Sequence, residues 1–209
     1  METYLSAFIT LALAHFVALL SPGVDFFIIL SNSSKYGKLS GIVTSFGISV
    51  ANLVYILLAL LGISLIKDNE NIFLAIKLLG SLYLIYIAFM LLKTKKRELF
   101  LKEKIKSESK KRLIKYFSMG FLSAILNPKN SIFYFTMFSI SINPTTPSFV
   151  QSFYALWMFL AVLFWDIFIV YLVTNKKSKY IFQKYSNHIE KISGLILLFI
   201  ASFIIIDSF

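Results

Sequence analysis

The sequence of 209 residues contains no cysteine, which excludes disulfides, thiolate metal sites, iron–sulfur clusters and thiol redox chemistry. Histidine occurs at only two positions, and the G-x-S-x-G, H-E-x-x-H and P-loop patterns are absent. An enzyme built on a nucleophile–base pair or on a metal cluster would find few of its usual residues here. We therefore predict a chain that is not an enzyme and that binds no cofactor and no metal.

Charged residues are scarce as well, at 15% of the chain against 58% hydrophobic residues. A soluble domain of this length needs more polar surface, so the composition predicts an all-α integral membrane protein in contact with the lipid bilayer. The net charge of +11 would suggest a nucleic-acid partner if the protein were soluble. Because the basic residues fall between apolar runs instead of on one face, no nucleic-acid partner is predicted.

Six apolar stretches are long enough to cross a bilayer, which takes about 20 residues. These stretches are roughly 4–30, 40–66, 72–92, 116–142, 150–174 and 191–207. The loops that follow the first, third and fifth stretches carry 18 of the 21 basic residues. Since Lys and Arg concentrate in cytoplasmic loops, we predict six transmembrane helices with these loops in the cytoplasm and both termini outside.

The first and fourth stretches each contain a helix-breaking motif, Ser21-Pro22-Gly23 and Asn127-Pro128-Lys129. Ser and Asn cap helix N-termini, and Pro is tolerated at the first helical position. Each motif therefore predicts that the helix is broken at Pro and that a new half-helix begins inside the membrane. The N-terminus of such a half-helix exposes unpaired N–H groups and suits an anion such as a carboxylate.

The two breaks also suggest internal symmetry. Each half of the chain contains three spans, so the second half must enter the membrane from the opposite side. Paired broken helices in corresponding positions are typical of inverted repeats in transporters. We predict a first three-helix repeat over 1–92, a basic cytoplasmic loop over 93–115 and a second three-helix repeat over 116–209.

Four ionisable side chains fall inside the predicted spans: His15, Asp25, Lys129 and Asp166. A charged side chain costs at least about 2.5 kcal/mol at the centre of a membrane helix, so function is the default interpretation. Asp25 is interpreted as a proton carrier or a ligand for a substrate ammonium group; the alternative is an acid that only offsets the helix dipole. Lys129 either pairs with a buried acid or meets a substrate carboxylate, and Asp166 is the second candidate for proton coupling.

Two further residues are weaker candidates. His15 either joins a proton relay or is hydrogen-bonded to a neighbouring helix. Asn52, midway along the second span, is a neutral polar candidate for the substrate site. Tyr83 and Tyr86 are interpreted as packing or interfacial residues. Small residues recur every four positions in a stripe suited to close helix packing, at Gly37, Gly41, Ser45 and Ser49.

Three segments together resemble the LysE/RhtB-type amino-acid exporters of bacterial inner membranes. They are "SPGVD" at 21–25, "NPK" at 127–129 and "KLLGSLYLIYIAFMLLK" at 77–93. The resemblance covers essentially the whole chain, with Val24 in place of a second proline in the first motif. It implies proton-coupled export of an amino acid such as lysine, arginine, homoserine or threonine, and it leaves a homodimer open.

Three alternatives remain at this point. The wider superfamily includes metal-cation exporters, although two buried acids and one membrane His make a sparse ligand set for a metal. The other two alternatives are a membrane-embedded enzyme and a purely structural membrane protein. Replacing Asp25 with Asn separates them, because an exporter would lose flux while still folding, whereas a structural protein would show no transport phenotype.

Overall fold

The computed structural model describes residues 2–21, 23–66, 70–95, 113–142 and 145–206. Within these ranges the chain forms eight helices and no strand, in agreement with the predicted all-α class. The helices are α1 (Glu2–Leu19), α2 (Val24–Tyr36), α3 (Lys38–Ile66), α4 (Glu70–Leu92), α5 (Leu113–Ile125), α6 (Pro128–Ser141), α7 (Ser148–Thr174) and α8 (Lys176–Ile206).

Three of the described helices are long and apolar enough to cross a membrane, and the crossing segments are Lys38–Gly62, Ser148–Thr174 and Lys184–Ile206. Helices α1 and α2 meet at 54° and qualify together as a fourth, broken span. Leu78–Leu92 of α4 and the whole of α5 are shorter apolar helices. Leu, Ile and Phe side chains cover much of the outer surface, as contact with lipid requires. The chain is a multi-pass membrane protein.

The break between α5 and α6 has the predicted form. Helix α6 begins at Pro128, and the side chain of Asn127 caps it by accepting a hydrogen bond from the N–H of Lys129 at 3.1 Å. This cap satisfies one of the donors that a helix N-terminus leaves without an intrahelical partner. The short segment between Ile125 and Pro128 thus ends one helix and starts the next.

The break between α1 and α2 differs from the predicted one. The N-cap of α2 is Gly23, in an extended conformation with no side-chain cap, so the prediction that Ser21 caps this helix is wrong. The reason is that Ser21 belongs to the turn that closes α1, where its N–H donates to the carbonyl of Ala18 at 3.2 Å. Pro22 lies outside the described residues, so its predicted role is not tested.

Glycines allow several helices to pack with their backbones in contact. A Cβ atom on Gly47 of α3 would meet the backbone oxygen of Phe117 in α5, and one on Gly120 of α5 would meet that of Thr44 in α3. A Cβ atom on Gly194 of α8 would come within 2.9 Å of a backbone oxygen of α4. Such close approach of small residues is the usual packing mode of membrane helices.

The small-residue stripe predicted in α3 packs as expected, except at its first position. Ser45 and Ser49 are buried and donate to carbonyls of their own helix, while Gly41 faces α2 and α7. Gly37 instead ends α2 in the turn before α3, with φ of 91°, a conformation that side-chain-bearing residues rarely adopt. The turn, and not helix packing, therefore requires glycine at this position.

Helix α8 is much longer than the predicted sixth span at 191–207. It begins at Lys176, and the part compatible with a membrane is Lys184–Ile206. Asn175 supplies the start signal, because its side chain accepts hydrogen bonds from the N–H groups of the two residues after Lys176. Lysine side chains in this region can reach the interface along their apolar stems, so their charge does not end the helix. His188, which precedes the predicted sixth span, lies in this helix.

Candidate functional site

A small cavity lies where the two helix breaks meet α3 and α7, and we name it the inner cavity. Its volume is about 80 Å³, enough for several water molecules. The candidate residues that line it are His15, Ser21, Gly23, Asp25, Asn52, Asn127, Lys129 and Asp166. The fold therefore brings together, from five separate helices and the two breaks, side chains that lie far apart in the sequence.

Asp25 is the best-connected charged group of the inner cavity. It lies in the first turn of α2, where a carboxylate complements the positive end of the helix dipole. Its Oδ1 accepts a hydrogen bond from Ser123 Oγ at 2.8 Å, and its Oδ2 accepts one from Asn130 Nδ2 at 2.9 Å. Asn130 Nδ2 also donates to Asn52 Oδ1 at 3.0 Å. Asp25 is thus hydrogen-bonded to α5 and α6, and Asn130 links it to Asn52 of α3.

Lys129 places an ammonium group beside the break between α1 and α2. Its Nζ atom would lie 3.9 Å from a Cβ atom built on Gly23. Its backbone is held by the Asn127 cap and by Tyr83, whose hydroxyl donates to the Lys129 carbonyl at 3.1 Å. The carboxylates of Asp25 and Glu190 both attract the Lys129 ammonium group. Lys129 is therefore a cation that lies near enough to two acids to be attracted by both.

Asp166 brings a second carboxylate to the inner cavity. Its side chain on α7 is only 7% exposed, and among the described residues its Oδ2 atom has no hydrogen-bond partner. Asp25 and Tyr134 line the same cavity, so the two carboxylates share one buried space. Two carboxylates that line one buried space favour the binding of a cation there, because the cation offsets their negative charges.

His15 lines the same cavity, and three aromatic rings pack around it. Its ring centroid lies 5.7 Å from that of Phe133, 5.9 Å from that of Tyr134 and 5.6 Å from that of Trp157. Neither ring nitrogen has a hydrogen-bond partner within the described part of the chain. The expected bond to a neighbouring helix is not seen there, and the role of His15 in a proton relay stays a prediction.

Four residues of the site were not among the sequence candidates: Ser123, Asn130, Tyr134 and Glu190. Asn130 follows the NPK motif directly, and a capped α6 start would have placed it in the first turn beside the break. Glu190 was placed outside the sixth span, and only the helix start at Asn175 could have indicated otherwise. For Ser123 and Tyr134 no sequence signal was available, because their contacts depend on how α5 and α6 pack.

A charged cavity enclosed by broken membrane helices is typical of membrane transporters, which carry small solutes and are not enzymes. The family model described as LysE type translocator matches residues 16–208, and the chain belongs to this family. This confirms the resemblance to the LysE/RhtB-type exporters. No solved structure gives a significant match to the chain.

Several curated proteins are similar to the chain over most of its length. The uncharacterized membrane protein YrhP of Bacillus subtilis (strain 168) is 31% identical over 84% of this chain and 87% of its own. The uncharacterized membrane protein YahN of Escherichia coli (strain K12) is 24% identical over 73% of this chain and 68% of its own. The threonine efflux protein of the same strain is 28% identical over 65% of this chain and 66% of its own.

Proposed function

We propose that this protein exports an amino acid from the cytoplasm in exchange for protons, by alternating access to the inner cavity. One observation carries the proposal: the two carboxylates of Asp25 and Asp166 and the ammonium group of Lys129 line one cavity at two helix breaks. Membership of a translocator family supports it, as does similarity to proteins named for threonine efflux. Asn52, Asn127 and Asn130 would add neutral donors and acceptors for the polar groups of the substrate.

The charges of the inner cavity suit a zwitterion. A substrate ammonium group would be bound by Asp25, and the negative charge of Asp166 would attract it from elsewhere on the same cavity wall. A substrate carboxylate would be bound at the break, near Lys129 and the N-termini of α2 and α6, where helix N–H groups favour an anion. A purely cationic or purely anionic solute would use only half of this arrangement.

Proton exchange follows from competition for the same acids. A proton and a substrate ammonium group each neutralise the Asp25–Asp166 pair, so binding one would favour release of the other. The hydrogen bonds from Ser123 and Asn130 to Asp25 join the first half of the chain to the second. Replacing these bonds with bonds to a substrate would loosen the contact between the halves and allow one to move against the other.

The membrane arrangement in this proposal is the one that the sequence predicts. Six spans form two inverted repeats, over 1–92 and 116–209, in a bacterial inner membrane with both termini outside. The bent α1–α2 pair and the break between α5 and α6 support this symmetry, since each would represent a broken first helix of its repeat. The predicted basic cytoplasmic loop, 93–115, lies mainly outside the described residues.

Export from cells loaded with dipeptides tests the proposal, because hydrolysis of each dipeptide supplies one amino acid inside the cell. Cells that express the protein should release at least one amino acid, threonine first among those tested, faster than cells without it. The extracellular amino acid is measured by chromatography over time. If the cells release no amino acid, the proposed function is wrong, and metal efflux becomes the next hypothesis to test. In the described ranges no three His, Cys, Asp or Glu side chains form a group that could hold a metal.

Asp166→Asn is expected to separate proton coupling from substrate exchange. In inside-out vesicles with an acidic interior, the variant should take up labelled amino acid at least about 30-fold more slowly, since it loses a buried charge worth about 2–5 kcal/mol. Exchange of labelled for unlabelled substrate at equal pH on both sides should stay close to wild type, because the hydrogen bonds of Asp25 are intact. Loss of both activities would mean that Asp166 binds the substrate itself.

A further inference from the structure

A second and larger chamber borders the inner cavity, and we name it the outer chamber. Its volume is about 460 Å³, and its walls come mainly from α4, the start of α6 and α8. It shares with the inner cavity the residues at the two helix breaks, which are Ser21, Gly23, Asn127 and Lys129. The two spaces are therefore neighbours that share part of their walls.

The outer chamber contains a buried acid that the proposed mechanism does not use. Glu190 lines it from α8 and is only 2% exposed. The rings of Tyr83 and Tyr86 line it from α4, with centroids 6.3 Å apart. A buried carboxylate near aromatic rings is a chemically suitable site for an ammonium group, through charge and through cation–π attraction.

Size and position also favour a substrate site. Ligand pockets usually measure roughly 300–1,000 Å³, which includes the outer chamber and excludes the inner cavity as it stands. The chamber extends past the end of α4 to Thr94, at the start of the segment 93–115 that the proposed topology puts in the cytoplasm. A solute approaching from the cytoplasm would thus reach Glu190 before it reached Asp25.

We propose that the outer chamber is a second amino-acid site on the cytoplasmic side, where Glu190 binds the substrate ammonium group and Lys129 binds its carboxylate. This inference rests on the proposed export function. It adds a site where the substrate binds before it reaches the inner cavity. Lys129 is attracted by both Glu190 and Asp25. The substrate would move on when its ammonium group passes from Glu190 to Asp25, while Lys129, which lines both cavities, continues to bind its carboxylate.

Kinetics in inside-out vesicles test this inference, because the cytoplasmic face is then open to added substrate. With labelled L-threonine, or the amino acid identified by the dipeptide assay, Glu190→Gln should raise the KM at least about tenfold, as loss of one charge-assisted bond predicts. The maximal rate should change little, since an interaction made equally before and during transport affects the KM. Glu190→Asp should restore part of the affinity, and His188→Gln, an exposed neighbour on α8, should match wild type.

An unchanged KM in Glu190→Gln would overturn the second site while leaving the export function intact. Failure of the wild type to transport any amino acid would instead overturn the export function and this inference with it. The two failures are therefore told apart by the wild-type control.

The absence of cysteine allows a second readout by single-cysteine labelling. Met90→Cys in the outer chamber should react with a membrane-impermeant cationic thiol reagent added to inside-out vesicles, and saturating substrate should slow the reaction severalfold. Lys93→Cys, exposed at the end of α4 and outside the chamber, should react without protection. If Met90→Cys does not react while Lys93→Cys does, lipid fills the chamber and the inference is wrong.

Discussion

Cells that express Asp25→Asn should export their amino acid at least about 30-fold more slowly than cells with the wild-type protein, at equal amounts of protein in the membrane. The substitution keeps the size of the side chain and removes its charge. A neutral side chain at position 25 can neither carry the exchanged proton nor bind the substrate ammonium group by charge. Export from dipeptide-loaded cells measures this loss directly.

Unlike Asp166→Asn, this variant should also lose exchange of labelled for unlabelled substrate. Asp25 is the acid tied to Ser123, Asn130 and, through Asn130, to Asn52, so substrate and proton would both act on that network. Ser123→Ala retains the charge and removes one hydrogen bond to it, so its export rate should fall by about tenfold, less than in Asp25→Asn.

Two controls separate this effect from damage to the fold. Glu70→Gln removes a carboxylate from the first residue of α4 and should export at the wild-type rate. Asp25→Asn should elute from size-exclusion chromatography in detergent as the wild type does. If Asp25→Asn exports normally, Asp25 only offsets the dipole of α2, and the coupling group has to be sought at Asp166 or Glu190.

Much of the helical architecture could be predicted from local sequence signals. The apolar stretches gave the membrane character, and the Asn127-Pro128 pair gave the start of α6 because both residues act within one turn of the helix end. The same reasoning failed at Ser21, because the backbone N–H of this residue donates a hydrogen bond in the turn that closes α1. It failed again at α8, whose lysines were interpreted as loop residues although helices extend beyond a bilayer readily.

The members of the inner cavity could also be predicted, but their bonds could not. Burying a charge in a membrane is costly enough that Asp25, Lys129 and Asp166 stand out one by one. Which polar groups surround each of them depends on packing between helices distant in sequence, as with Ser123, 98 positions from Asp25. Glu190 was missed for a related reason, because its depth depends on where α8 begins.

The contact between α3 and α5 depends on two glycines, Gly47 of α3 and Gly120 of α5. Each of them faces the backbone of the other helix. A Cβ atom on Gly120 would lie 2.9 Å from the carbonyl carbon of Thr44, and one on Gly47 would lie 3.0 Å from that of Phe117. Backbone atoms cannot rotate away as a side chain can, so an added methyl group must push the two helices apart. This contact also positions Asp25, because α5 carries Ser123 on the next turn after Gly120.

Gly120→Ala should therefore destabilise the protein by about 1–3 kcal/mol, the usual cost of overpacking, and lower its unfolding temperature in detergent by roughly 2–12 °C. Thermal unfolding followed by size-exclusion chromatography measures the shift.

Gly62→Ala is the matched control, because its methyl group would meet only the edge of the Phe135 ring at 3.1 Å, and Ala is the better helix former. Adding Gly47→Ala to Gly120→Ala should cost less than the two single changes together, since the helices are already separated. Equal shifts for Gly120→Ala and Gly62→Ala would mean that the helices are not held together at these glycines.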